Sequence, residues 1–138
     1  MRNIVKLKLV LFTIFMFLGL LGKSQEKVLH LSTGKDAMDR KQYNIAVYYF
    51  DKAIQEDSLY IEAYVERAHA YNMLGKIDES IKDCNFVLNN DPENASVYFT
   101  LGTISFTWLD DNYKAIEYYS KAIEYSLKKD DNMLAGSA

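Results

Sequence analysis

Set out in rows of 34 residues beginning at position 27, the chain repeats itself. Rows 27–60, 61–94 and a third from 95 agree column by column. The eighth column reads Gly34, Ala68 and Gly102. The twentieth reads Ala46 and Ser80, with Ala115 one place late; the twenty-seventh reads Ala53 and Val87, with Ala122 one late. Larger side chains stand between them: Tyr64 and Tyr98 in column four, Tyr43 and Ile77 in column seventeen, Phe50 and Cys84 in column twenty-four, matched by Tyr119. A period of this length marks one supersecondary unit used repeatedly, each copy covering an apolar face its neighbour cannot bury alone.

The middle row shows what the unit is. Ala68, Tyr71 and Leu74 recur at three-residue steps, and Ile77, Ser80, Ile81 and Cys84 at steps of three and one helical turn. Both spacings belong to one face of an α-helix. Gly75 lies between them, where a left-handed helix end is cheap for glycine, and Asp78 and Glu79 suit the first turn of the second helix. The pattern predicts helices near 27–40, 43–57, 61–74, 77–90, 95–108 and 113–128. Asp91 and Pro92 stop one helix and Asn94 caps the next.

These rows resemble the tetratricopeptide repeat, a 34-residue helix–turn–helix with this order of aromatic, small and proline positions. The middle copy carries the resemblance most fully, in Tyr64, Ala68, Tyr71, Gly75, Ile77, Ser80, Val87 and Pro92. Two departures stand out. His30 replaces the aromatic in column four of the first copy, and the third copy has one extra residue around positions 108–112. The resemblance implies an all-α, right-handed superhelical solenoid of about three hairpins: repeats at 27–60, 61–94 and 95–129. Residues 130–138 then form a stub or partial capping helix, with Met133 and Leu134 as its apolar residues.

The first two dozen residues differ in kind. Arg2, Lys6 and Lys8 precede an uncharged apolar run over 9–21, followed by Gly22, Lys23 and Ser24. This is the layout of a secretory signal peptide at 1–24, cut after Ser24. The run is short for a bilayer span of about 20 residues, so an uncleaved N-terminal anchor is the second reading. No cysteine follows the run to take a lipid. The expected location is therefore periplasmic or secreted, or membrane-anchored through the N-terminal segment. Loss of the leader removes four of the sixteen basic residues and none of the nineteen acids, taking the net charge from −3 to −7. So acidic a chain, without a basic stripe, is poorly suited to nucleic acid. One cysteine allows no intramolecular disulfide, leaving packing to hold the fold.

Candidate chemistry is sparse. His69 and Cys84 fall on successive helices of one hairpin, but nothing supplies a third orienting group or an oxyanion site. Cys84 shares column twenty-four with Phe50 and Tyr119, which makes it a core filler. Two histidines without metal-ligand spacing do not make a zinc site, and Asp110, Asp111 and Asn112 lack the alternation and glycine of a calcium loop. They read as a capped helix start. Asn94-Ala95-Ser96 matches a glycosylation acceptor, but asparagine ending the repeat is the plainer reading. No catalytic, cofactor or metal site is expected.

By the family resemblance, the concave wall is lined by columns two, five, nine and twelve of each first helix. These are Val28, Leu31, Lys35 and Met38; Glu62, Val65, His69 and Asn72; Ser96, Phe99, Thr103 and Phe106. Column five is apolar throughout, which suits a peptide with hydrophobic anchors. The competing reading is that these side chains cover one another in a narrow groove. The carboxylate clamp of cochaperone members has a poor counterpart in Leu31, Lys35, Glu66, Ser96 and Thr100, where only Lys35 is basic and Glu66 repels. Most tyrosines fall at packing columns; Tyr48, Tyr118 and Tyr125 lie off them. The expected function is non-catalytic protein or peptide binding through the concave face. The alternative is an assembly subunit that stacks, or forms homo-oligomers, through its uncapped C-terminal end.

Overall fold

In a computed structural model of the chain, the described residues are 2–135, with side chains described for 6–17, 19 and 25–133. They form six helices and no strand: α1 (Arg2–Asp39), α2 (Tyr43–Glu56), α3 (Ile61–Met73), α4 (Ile77–Asn90), α5 (Ala95–Thr107) and α6 (Asn112–Ala135). Contacts join α1 to α2, α3 to α4 and α5 to α6 within hairpins. They join α2 to α3 and α4 to α5 between hairpins, and successive first helices to one another. Each hairpin thus touches only its neighbours, and the fold is an all-α repeat solenoid.

The turn inside each hairpin passes through the left-handed region once, at Lys41 (φ 59°), Gly75 (φ 72°) and Asp110 (φ 50°). Only the middle copy has glycine there, so the outer two carry strain that a Cβ brings to this conformation. Between hairpins the turns are held by column four. The Tyr64 hydroxyl donates to the Ser58 carbonyl at 3.1 Å, and the Tyr98 hydroxyl to the Pro92 carbonyl at 3.2 Å. Asn94 caps α5 by accepting from Val97 N–H at 3.2 Å and donates to Asp91 at 2.7 Å. Asp111 likewise accepts from Lys114 N–H at 3.0 Å at the start of α6.

The core is built on columns eight and twenty-four. A Cβ on Gly34 would lie 2.4 Å from Phe50 Cε1, and one on Gly102 would lie 2.7 Å from the Tyr119 ring. Each aromatic therefore occupies the space that its facing glycine vacates. In the middle hairpin the sizes shift together: Ala68 faces the smaller Cys84 in one buried cluster with Val87, Val97 and Leu101. Ser80 Oγ donates to the Ala68 carbonyl at 2.6 Å, drawing α4 onto α3. Arg67 ties three helices. Its Nε and Nη2 donate to Asp83 at 2.7 and 2.8 Å, and its Nη1 to Asp51 at 2.6 Å. The guanidinium also lies 5.1 Å from the Tyr64 ring centre and 5.7 Å from that of Tyr71. Burial works against this cation, but the hydrogen bonds it donates to Asp83 and Asp51 outweigh it and raise the Arg67 pKa.

The structure departs from the sequence expectation in three places. Helix α1 starts at Arg2 rather than near 27 and runs through the expected leader, with every described apolar side chain from Leu7 to Phe17 exposed. No described helix is long and apolar enough to cross a membrane. The side chains of the expected cleavage site, Gly22 to Ser24, lie outside the described residues, as do the Leu134 side chain and residues 136–138. At the other end, 130–135 is not a separate stub but the last part of α6. Where the first two rows end in Asp57-Ser58 and Asp91-Pro92, the third has Ser126-Leu127-Lys128-Lys129, which contains no breaker. Finally, Trp108, which ends α5 just before the extra residue of the third copy, lies back over the preceding hairpin. Its Nε1–H donates to Asn72 Oδ1 at 3.0 Å, and its ring covers Gly75.

The size match between the two columns gives a sign reversal. Gly102→Ala should destabilise the chain by about 1–3 kcal/mol through overpacking. In a Tyr119→Cys background, which copies the middle hairpin, it should stabilise by about 0.5–1 kcal/mol, the helix preference of alanine over glycine. Denaturant unfolding of the four variants measures both values.

Candidate functional site

The first helices of the second and third hairpins, α3 and α5, form one wall of a groove, and α6 forms the other. It has a volume of about 770 Å³ and is lined by Val65, Glu66 and His69 of α3, Ala95, Ser96, Phe99 and Thr100 of α5, and Tyr119, Ala122, Ile123, Ser126 and Leu127 of α6. Phe99 projects into it, 57% exposed, with its ring 5.5 Å from that of Tyr119. Thr103 holds the base of the groove: it donates to the Phe99 carbonyl at 3.0 Å and accepts from the Tyr119 hydroxyl at 3.3 Å. The lining is mostly apolar, its one carboxylate is Glu66, and it includes no lysine or arginine.

The residues expected to line a continuous concave wall divide. Val65, His69 and Phe99 meet in the groove, with Thr103 supporting it. Leu31 does not reach the wall: it is 5% exposed, packed with Ala37, Phe50 and Ala63. Asn72 is withdrawn too, 4% exposed with its carboxamide oxygen taken by Trp108. Lys35 is held by Glu62 at 2.5 Å and Glu66 at 3.4 Å, and these two carboxylates raise its pKa. Met38 lines a smaller cleft of about 430 Å³ beside Lys35, Tyr43, Glu66, His69 and Met73. Phe106 stays exposed beyond the groove. Of the tyrosines off the packing columns, Tyr48 is exposed, while Tyr118 and Tyr125 are half-buried against Tyr98.

Sequence reasoning confined to first helices missed Tyr119, Ile123 and Leu127. A signal for Ile123 was present: column twenty-eight is apolar in every copy, as Ile54, Leu88 and Ile123.

His69 and Cys84 do not form a pair. His69 is exposed on the groove side, whereas Cys84 is fully buried. Among the described residues, no three His, Cys, Asp or Glu side chains converge as metal ligands would. Burial, aided by the Asp83 carboxylate, pushes the Cys84 thiol up to about 12.

Residues 61–94 match the family model of the tetratricopeptide repeat. The chain is 28% identical over 98 residues to Hsp70-Hsp90 organizing protein 3 of Arabidopsis thaliana, a match covering 71% of this chain but 17% of that protein. Its fold is similar to the Arabidopsis OM64 TPR domain, with a TM-score of 0.70 at 23% identity, covering 77% of this chain and 87% of that domain. It is similar also to the first TPR of Spaghetti (RPAP3), solved bound to the HSP90 peptide SRMEEVD, with a TM-score of 0.66 at 22% identity, covering 81% and 95%. At these identities the structural likeness concerns the fold alone. The three hairpins therefore share the architecture of tetratricopeptide-repeat domains, and the groove must be read from its own residues.

The buried thiol yields a test. Its pKa is higher folded than unfolded, where thiols titrate near 8.5, so rising pH ionises the unfolded chain first. Its contribution to stability is full below about pH 8.5 and is lost as pH rises from there toward about 12. At pH 8, iodoacetamide should modify native Cys84 more slowly than the denatured chain by a factor on the order of 10³.

Proposed function

We propose that the chain is a non-catalytic scaffold that binds a peptide or protein segment in the groove between α3, α5 and α6. One observation carries this reading. Phe99, a large apolar side chain, stands exposed inside a concave, mainly apolar site whose walls are rigid helices. An anchor side chain of the partner would bury against Phe99, Val65 and Ile123, and the surrounding polar groups would select register.

The charge of the groove favours an apolar or basic segment. The peptide on the RPAP3 domain contains two glutamates and an aspartate. Here the corresponding wall offers Glu66, and the nearby cation, Lys35, is already bound by Glu62 and Glu66. An acidic segment would meet a carboxylate without a free basic partner among the lining residues.

A second reading, assembly through the C-terminal end, is favoured by the exposure of Ile116, Ile123, Leu127 and Met133 along α6. For location, the basic start and apolar run of residues 1–24 support export, with release into the periplasm or medium after cleavage, or retention as an anchor.

Affinity capture from the host envelope tests the groove. The native chain should retain a partner that Phe99→Glu releases, with affinity falling at least tenfold and helicity unchanged, since Phe99 is outside the core. Equal retention by native and Phe99→Glu chains would contradict the reading.

A further inference from the structure

The end face of the solenoid has a shape that the chain itself explains. Columns twenty-one and twenty-eight of the second helices are Val47 and Ile54 on α2, Ile81 and Leu88 on α4, and, one place late, Ile116 and Ile123 on α6. The first two pairs are packed against the cores of their interfaces. In each case the covering element is the next first helix, antiparallel to the helix it covers. It presents Ala63 and Ala70 on α3, or Val97, Leu101 and Ile104 on α5, all buried. On α5 the spacing is i, i+4 and i+7, one helical face; on α3 Arg67 stands at the i+4 position. The third pair has no such cover among the described residues, and Ile116 and Ile123 are 65% and 62% exposed. Helix α6 also overhangs: it continues ten residues past the column where α2 and α4 end, about 15 Å at 1.5 Å per residue.

We propose that this face of α6 is a docking surface for an amphipathic helix of a second protein. That helix runs antiparallel to α6, presents branched apolar side chains at i, i+4 and i+7, and carries lysine or arginine along one flank. The apolar spacing follows from Val97, Leu101 and Ile104 of α5, which covers the second hairpin as this helix would cover the third. The basic flank follows from Glu117, Glu124 and Asp131, which stand seven residues apart on one edge of the apolar line. Glu117 is already held by Lys121 at 2.8 Å, while Glu124 and Asp131 face solvent.

Two other occupants fit worse. A second copy stacked head to tail would bring α1, whose same three columns are Leu29, Thr33 and Asp36. Asp36 would then sit where Ala70 and Ile104 are buried, leaving a desolvated carboxylate. A two-fold pair of antiparallel α6 helices would set the acidic edge of one copy against the same edge of the other.

The proposal deepens the assembly reading and does not rest on the groove. The test uses the full chain in a mild nonionic detergent, with isoleucine methyls labelled for NMR. The probe is a synthetic peptide of residues 95–107, the chain's own covering helix, bracketed by two lysines at each end. The Ile116 methyl signals should shift on addition of the probe, while those of Ile54 and Ile81, already covered, should not; Ile123 also lines the groove, so its signal does not separate the two sites. Ile116→Asp should weaken the probe at least tenfold, and His69→Ala should leave it unchanged. Unmoved Ile116 signals would overturn the proposal, whether or not Ile123 moves. So would a tenfold loss on His69→Ala with Ile116→Asp silent, which would place the probe in the groove. An Ile116 shift that follows chain concentration alone would assign the face to a second copy and overturn it too. Loss of Phe99-dependent capture would leave all these outcomes untouched, so the two readings fail separately.

Discussion

The structure depends on a small residue in column eight lying under a larger one in column twenty-four. Gly34 under Phe50, Ala68 beside Cys84 and Gly102 under Tyr119 let the two helices of each hairpin close, and their sizes change together. Close-packed interiors tolerate neither the missing volume nor the extra Cβ. Once the hairpins close, their outer faces are apolar ridges that only another hairpin can cover. The array is then one-dimensional, and its properties follow position along a line: two faces covered in the middle, one at the last hairpin.

Function enters where that rule leaves surface over. The groove exists because α3, α5 and α6 diverge around Phe99, and the end face exists because α6 has no successor among the described residues. Neither requires a catalytic group, and the chain's one thiol is spent on core volume. Arg67, with Asp51 and Asp83, shows the other use of polar side chains here. It locks α2, α3 and α4 in register beneath the groove, so that recognition starts from a rigid wall.

Much of this was legible from residue spacing, and the exceptions are instructive. Helices α2 to α5 begin and end within one residue of their expected limits, because Gly75, Asp91-Pro92 and Asn94 punctuate the chain. The continuation of α6 was equally written in Ser126-Leu127-Lys128-Lys129, a stretch without a breaker. Column rules fail where neighbours override them. Leu31 belongs to a wall column, yet it is buried with Phe50 and Ala63. Asn72 belongs to one also, but Trp108 at the end of α5 reaches it, a contact 36 positions away that no local pattern contains. The reach of α1 back to Arg2 was hidden because the basic start and apolar run of residues 1–24 were read for where they would send the chain rather than for their conformation.

Native-state hydrogen exchange across the helices tests the stacking account most directly. If hairpins are stabilised by the neighbours that cover them, protection should peak in α3 and α4, covered on both sides, and fall toward α6, with its C-terminal overhang exchanging fastest. Protection in α6 equal to that in α4 would contradict the account, because a face without a neighbour would then be as stable as one between two.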